Sequence, residues 1–392
     1  MTVSAATLVV ALLSLVIAPA GAAAATHKAT LLVRADDDRL ARDRVERAYL
    51  GHPGGPAADA IDVALKEAQF ELDAAGTNVT IERVAVADAT AARDAAARAQ
   101  KAGHVALVAD LPPDALLAAA DAAAALPLLN VGEAADRLRQ TDCRARLLHL
   151  LPSERMRADA LAQTLAARRW NQVLLLVGPS AHDAERGAVA QAALQRYALK
   201  LVARKAFKLS ADPRERDLGN PLLLTAASVG AYDVVWVVDS DGEFARGLPY
   251  RTGLARPVVG DAGLVALAWH AQFERFGAPQ VSRRYARAAG RPMVAHDWAA
   301  WMAGKALVAA AVAAPKGNAA AFAKALAAVE LDGSKGVGMS FRQWDGQLRQ
   351  PILLSDGQAV AAIAPVDGVL HPKNNLDTLG ADAPEKLCKA RP

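Results

Sequence analysis

Cysteine is almost missing from this chain, with only Cys143 and Cys388 among 392 residues. Two thiols offer too few soft ligands for a metal centre, and no metal site is expected. Aromatic residues are scarce at 5%, so where the six tryptophans fall carries more information than their number. Charge of one sign is also lacking: 45 Lys and Arg stand against 41 Asp and Glu, and the basic residues occur singly or in pairs. Nucleic acid, which needs a gathered basic face, is therefore not an expected partner. Beyond the first 25 residues, no run is long and apolar enough to span a bilayer. There is no internal repeat and no Pro-, Gly- or Ser-rich tether near mid-chain, which points to halves joined by several strands instead of one linker.

What is present suits one large core or two medium ones, with 53% hydrophobic and 22% charged residues. Abundant alanine favours helices. Residues 1–25 run through Leu8-Val9-Val10-Ala11-Leu12-Leu13 into Ala18-Pro19-Ala20-Gly21 and a string of alanines. This reads as a secretory signal peptide: the apolar stretch is short, Pro19 and Gly21 break it, and Ala23 and Ala25 suit an A-x-A cleavage site. No Lys or Arg precedes Lys28, so the usual basic start is missing, and an uncleaved membrane anchor is the competing reading. Export places the chain in the periplasm. There an isolated cysteine pair is most simply a Cys143–Cys388 disulfide tying the C-terminal tail to a distant loop, with two free thiols as the alternative.

Short β-branched or leucine-rich runs alternate with long alanine-rich amphipathic segments, the pattern of an α/β protein with parallel sheets. Strands are expected at 29–33, 79–86, 105–108, 126–131, 173–177, 200–207, 234–238 and 257–259. Helices are expected at 57–74, 89–101, 114–124, 154–169, 183–197, 218–229, 298–313 and 319–329. Near the C-terminus, 337–342 and 351–354 flank an Asp345-Gly346 turn and read as a β-hairpin.

Several blocks carry a resemblance. Arg169-Trp170-Asn171-Gln172-Val173-Leu174, Ala231-Tyr232-Asp233-Val234-Val235-Trp236 and Gly338-Met339-Ser340-Phe341-Arg342-Gln343-Trp344-Asp345-Gly346 resemble the periplasmic substrate-binding proteins of ATP-binding-cassette (ABC) transporters, in the branched-chain amino acid class. The likeness spans the mature chain. Asp212-Pro213-Arg214-Glu215-Arg216-Asp217-Leu218, Asp241-Gly242-Glu243-Phe244, Leu248-Pro249-Tyr250, Arg256-Pro257-Val258-Val259-Gly260 and Asp297-Trp298-Ala299-Ala300-Trp301 resemble a subclass associated with pyrroloquinoline quinone (PQQ)-dependent alcohol dehydrogenase systems. The resemblance implies a type I periplasmic binding protein with two discontinuous lobes of mostly parallel sheets flanked by helices. Residues 26–149 with 272–337 would form one lobe and 150–271 with 338–375 the other, leaving 376–392 as a tail. Three crossovers near 149–153, 267–272 and 337–343 would act as hinges. It implies a small-molecule ligand, an ABC-transporter permease as partner, a monomeric state and no required cofactor, with PQQ or a related aromatic polycarboxylate as the ligand. Delivery of PQQ to a dehydrogenase, or binding of an amino acid-like solute, are the alternatives. Residues 34–56 match the general family poorly.

Positions where amino acid binders carry hydroxyls read Leu111-Pro112-Pro113 and Gly132-Glu133-Ala134 here, so an unmodified amino acid is not the first expectation. By the same resemblance Asp261 keeps an acid, and His182 falls where an aromatic contact is common. A flat polycarboxylate needs stacking faces and planar cations. Trp269, Trp298 and Trp301 are the candidate faces, Arg137, Arg186, Arg246 and Arg284 the candidate cations, and His270 a polar neighbour. Against this, Trp298 and Trp301 at helical spacing also suit packing of a helix onto a sheet, and surface ion pairs are the commoner fate of arginine. Gly178-Pro179-Ser180-Ala181-His182 imitates part of a nucleophile elbow but lacks its second glycine, and no catalytic constellation is found, so the chain reads as a binder and not an enzyme. His296 and Asp297 read as caps of the helix that Trp298 begins.

Overall fold

The computed structural model describes residues 24–40 and 50–391. The expected leader falls almost wholly outside these residues; Ala25 opens the first strand, with its N–H 3.1 Å from the Gly76 carbonyl.

One group of elements builds a five-stranded parallel sheet: β1 (Ala25–Arg34), α1 (Ala57–Glu67), α2 (Gln69–Ala74), β2 (Thr77–Val86), α3 (Ala89–Lys101), β3 (Ala106–Asp110), α4 (Pro113–Ala122), β4 (Leu128–Asn130) and β5 (Leu147–His149). Its strand order is β2-β1-β3-β4-β5. Side chains alternate across the pleat, so Leu31, Val108 and Leu129 enter one apolar core while Leu32, Leu107 and Leu128 enter the core on the opposite face. In α3 the buried residues are Ala92, Ala95, Ala96 and Ala99, one stripe at helical spacing, and the Asp88 carboxylate caps it by accepting from the Ala91 N–H at 2.8 Å.

A second group follows: α5 (Glu154–Ala167), β6 (Gln172–Val177), α6 (Ala181–Arg196), β7 (Lys200–Ala206), α7 (Pro221–Leu224), β8 (Val234–Val238), α8 (Glu243–Gly247), β9 (Val258–Gly260) and β10 (Val265–Leu267). Its parallel sheet runs β7-β6-β8-β9. The chain then returns to the first sheet with α9 (Ala278–Ala289), α10 (Ala295–Ala313) and α11 (Ala319–Ala327). Helix α10 is buried along most of its length and lies against α1, where Gly304 permits the approach: a Cβ there would stand 2.6 Å from that of Ala64. After β11 (Leu331–Asp332) and β12 (Gly338–Met339), the chain goes back to the second group, where β13 (Ile352–Ser355) and β14 (Val360–Ala364) form an antiparallel sheet with β10.

The structure corrects three local expectations. The hairpin about Asp345-Gly346 shrinks to a single antiparallel bridge, Phe341 to Leu348; β12 pairs instead with β11, and β13 with β10 and β14. The helix expected at 218–229 is only α7, flanked by single 3-10 turns, because Pro221 can start a helix but the run ends at Thr225, whose hydroxyl bonds back to the Pro221 carbonyl at 2.6 Å. The helix expected at 57–74 breaks at Ala68 into α1 and α2.

Residues 376–392 are not a loose tail where described. The Asp377 carboxylate accepts from Arg342 Nε and Arg349 Nε, both at 2.9 Å, and the Gly380 N–H donates to Asp159 of α5 at 2.9 Å. Further on, Cys388 is disulfide-bonded to Cys143 and Arg391 Nη2 donates to the Leu147 carbonyl at 2.7 Å. The tail therefore touches both groups of elements.

Candidate functional site

In a parallel sheet a crevice opens at the carboxyl ends of strands where the order reverses. The first sheet reverses between β1 and β3, which end on Arg34 and Asp110; the second reverses between β6 and β8, which lead into Ser180 and Asp239. A cleft of about 190 Å³ lies over the second of these, lined by Glu154, Arg157, His182, Arg186, Asp239 and Asp261, with Leu50 to His52 of the first group closing it from the other side. Its apolar floor includes Trp236, Val238 and Leu161.

Local chemistry fixes each polar group. Ser180 is the N-cap of α6: its hydroxyl accepts from the Asp183 N–H at 2.9 Å and donates to the Asp183 carboxylate at 2.7 Å. The other Asp183 oxygen accepts from the Ser240 N–H at 2.7 Å, and these bonds outweigh burial to hold the carboxyl below its usual pKa. Asp239 accepts from the Ala245 N–H in the first turn of α8 at 2.8 Å; burial pushes its pKa up. Asp261 follows Gly260, whose φ of +109° and closeness to the Val237 carbonyl, 2.1 Å from any added Cβ, leave room for no side chain.

At the mouth Arg186 grips the Asp261 carboxylate with both terminal nitrogens, at 2.8 and 2.5 Å, and donates its Nε to Glu154 at 3.2 Å. Burial disfavours both charges, yet the two carboxylates raise the Arg186 pKa above its ordinary value, while Arg186 and Arg157 keep that of Glu154 low. Asp261 also accepts from the Asp239 N–H at 2.6 Å. Its oxygens are thus engaged by the protein itself, a poor arrangement for gripping a ligand ammonium.

On the first sheet's side, Arg39 binds Asp37 at 2.6 Å and Asp110 at 2.9 Å, plugging the ends of β1 and β3. Next to the cleft a second cavity of about 170 Å³, which shares Leu50, Gly51 and His52 with it, is lined by Trp269 and His270. His270 Nδ1 accepts from the Gln272 N–H at 3.2 Å, and burial lowers its pKa.

Of the ten residues singled out from sequence as ligand contacts, the structure brings His182, Arg186 and Asp261 together in the cleft and leaves Trp269 and His270 at the adjoining cavity. Trp298 and Trp301 do not reach either. They are 0% and 2% exposed, Trp298 stacks on Trp269 with centroids 6.4 Å apart and donates its indole N–H to the Gly333 carbonyl at 3.1 Å, and Trp301 donates to Glu67 at 3.1 Å. Both are core residues fastening α10. Arg137 pairs with Asp114 and Asp142 on the surface, Arg284 pairs with Glu67, and Arg246 is exposed on α8; none of the three lines the cleft. Sequence reasoning missed Trp236, hidden inside an apolar strand run, and Arg157, one of two arginines in the first turn of α5. His296 was misjudged: Asp297 alone accepts the Val294 N–H, at 2.9 Å, while the imidazole sits among Arg157, Arg39, His52 and Arg34.

No protein-family model matches this chain, and no curated protein matches it. Solved structures do. A branched-chain amino acid ABC transporter periplasmic ligand-binding protein from Burkholderia xenovorans is similar with a TM-score of 0.71 at 13% identity, covering 93% of this chain and 99% of that one. An ABC-transporter solute-binding protein from Rhodopseudomonas palustris, in complex with 3,4-dihydroxybenzoic acid, gives 0.63 at 15% identity over 86% and 97%. An ABC-transporter substrate-binding protein from Desulfitobacterium hafniense, in complex with Leu, gives 0.66 at 16% identity over 85% and 98%. The parallel sheets, their flanking helices and these likenesses together make the fold that of the type I periplasmic binding proteins.

Proposed function

We propose that the chain is a periplasmic solute-binding protein that captures a small carboxylated aromatic ligand, PQQ or a related polycarboxylate, in the cleft and presents it to an ABC-transporter permease without altering it. Residues 26–149 with 272–337 and 150–271 with 338–375 act as the two lobes, and the three crossovers between them act as the hinge. The observation that carries this reading is the cleft: an apolar floor containing Trp236 beneath a rim of Arg157, Arg186 and His182, with its acids already bonded within the protein. Such a surface suits an anion with a flat apolar body better than a zwitterion. At about 190 Å³ the cleft is smaller than the roughly 300–1,000 Å³ of drug-sized sites. A single-ring acid fits it directly, and PQQ would extend toward the cavity beside Trp269.

Calorimetric titration with PQQ, benzoate and leucine tests the reading. Saturable one-to-one binding of PQQ or benzoate, with leucine silent, is the expected result; leucine binding alone would transfer the ligand to the amino acid class, and silence from all three would remove the support for this cargo. A second reading, cofactor delivery to a PQQ-dependent alcohol dehydrogenase, is favoured by the blocks at 212–218 and 248–250, which expose the large hydrophobic residues Leu218 and Tyr250 at 42% and 89%. Affinity capture that recovers the dehydrogenase in place of a permease would establish it.

A further inference from the structure

Among the described residues, the side-chain nitrogens with almost no exposed surface and no hydrogen-bond partner include Arg157 Nε in α5, which lines the cleft, His296 Nδ1 in the first turn of α10, next to Ala295 of the adjoining cavity, and Arg34 Nε at the end of β1. Leaving a buried polar group unsatisfied costs about 1–3 kcal/mol, so three from three separate elements in one neighbourhood need a reason. They share an electrostatic environment. Burial, together with Arg157, Arg39, His52 and Arg34, holds the His296 imidazole well below its ordinary pKa. Nearby acids are already occupied: Asp37 and Asp110 by Arg39, Glu154 by Arg186 and Arg157, and Glu133 by the Ala135 N–H at 2.9 Å. Arg34 stands at the reversal point of the first sheet, whereas Arg157 lines the cleft from the second group.

We propose that Arg34, Arg157 and His296 form an anion subsite that takes a carboxylate of the ligand, gripped from both lobes at once. The two arginines supply planar charged donors, and a neutral imidazole protonated on Nδ1 supplies a third. None of these atoms is satisfied by either lobe alone, so the acid group itself draws the lobes together, and closure follows from the ligand's charge. The cargo part of this inference rests on the solute-binding reading; the subsite does not.

The test uses the full chain labelled with 15N-histidine and titrated with sodium acetate at constant ionic strength, the His296 resonance being assigned through His296→Asn. A saturable shift of that resonance is expected, with its midpoint moved at least tenfold to higher acetate in Arg157→Met and again in Arg34→Met. No saturable shift, or midpoints unchanged in both variants, would overturn the subsite. Acetate binding at His296 in a protein that takes neither PQQ nor benzoate would sustain the subsite and remove the proposed cargo, whereas cargo binding that leaves His296 undisturbed would sustain the cargo and overturn the subsite.

Discussion

Trp236 and Trp298 carry the same indole to opposite ends. Trp298 is sealed against Trp269, Gly333 and Lys335, whose Nζ sits 3.6 Å from its ring centroid, whereas Trp236 floors the cleft. Trp298→Phe should therefore lower stability by roughly 1 kcal/mol through the lost hydrogen bond and leave ligand affinity within twofold. Trp236→Ala should weaken binding at least tenfold. Denaturant unfolding and calorimetry on the two variants check the pair of outcomes, and an affinity loss confined to Trp298→Phe would reverse the assignment. Ser180 offers a second contrast. As an N-cap, its replacement by Ala should cost about 1 kcal/mol, seen as a lower urea midpoint with ligand affinity retained. These distinctions were not legible in the sequence, because neighbouring residues on a helix or strand point in different directions and only the tertiary fold decides which direction faces solvent. His296 and Asp297 show it: one is buried near Arg157, Arg39, His52 and Arg34, the other caps its own helix.

Elements were far more legible than side chains. Strand runs such as 173–177 and 234–238 coincide with β6 and β8 nearly to the residue, since fully buried parallel strands read as unbroken apolar runs. Elements set by long-range partners were not. β5, β10 and β14 are short, and they exist because a neighbouring strand supplies their hydrogen bonds. The three-residue β5 also places His149 at a crossing between the two groups, fully buried, with its Nδ1 3.0 Å from Asn130 Nδ2. Burial first, then Arg139 and Arg391, depress the His149 pKa well below its ordinary value. The native state thus refuses a proton that the unfolded chain accepts near pH 6.5. Stability is whole above that pH and falls as the pH drops below it, by up to about 1.4 kcal/mol per unit from this residue. Asp345, whose pKa burial raises, works the other way closer to the carboxylate range. Denaturant midpoints measured from pH 7 down to 5.5 should decline, and His149→Asn should flatten the decline; an equal slope in the variant would contradict the assignment.

At the scale of the molecule, the described part of the tail is a further connection between the two groups. Its disulfide joins positions separated by 245 residues, and residues 377–380 are anchored on Arg342, Arg349 and α5. Closing so long a loop restricts the unfolded chain, an effect of up to about 5 kcal/mol in the chain-entropy picture, with about 2–4 kcal/mol typical. A Cys143→Ser, Cys388→Ser double variant should lose stability of that order in equilibrium unfolding, and an unchanged midpoint would mean that the bridge does not constrain the chain. The two-sheet plan was readable from alternating segments, whereas the plugging of the first sheet by Arg39 was not, because it lies in the stretch that departs from the family pattern.

The proposed function requires one organic acid to be held intact in the cleft between the two groups of elements. Native mass spectrometry of the protein isolated from its native cells addresses this most directly. One carboxylated small molecule per chain, released unaltered on denaturation and absent from Arg157→Met, is the predicted spectrum; a bound amine or amino acid, or a chemically converted product, would contradict it.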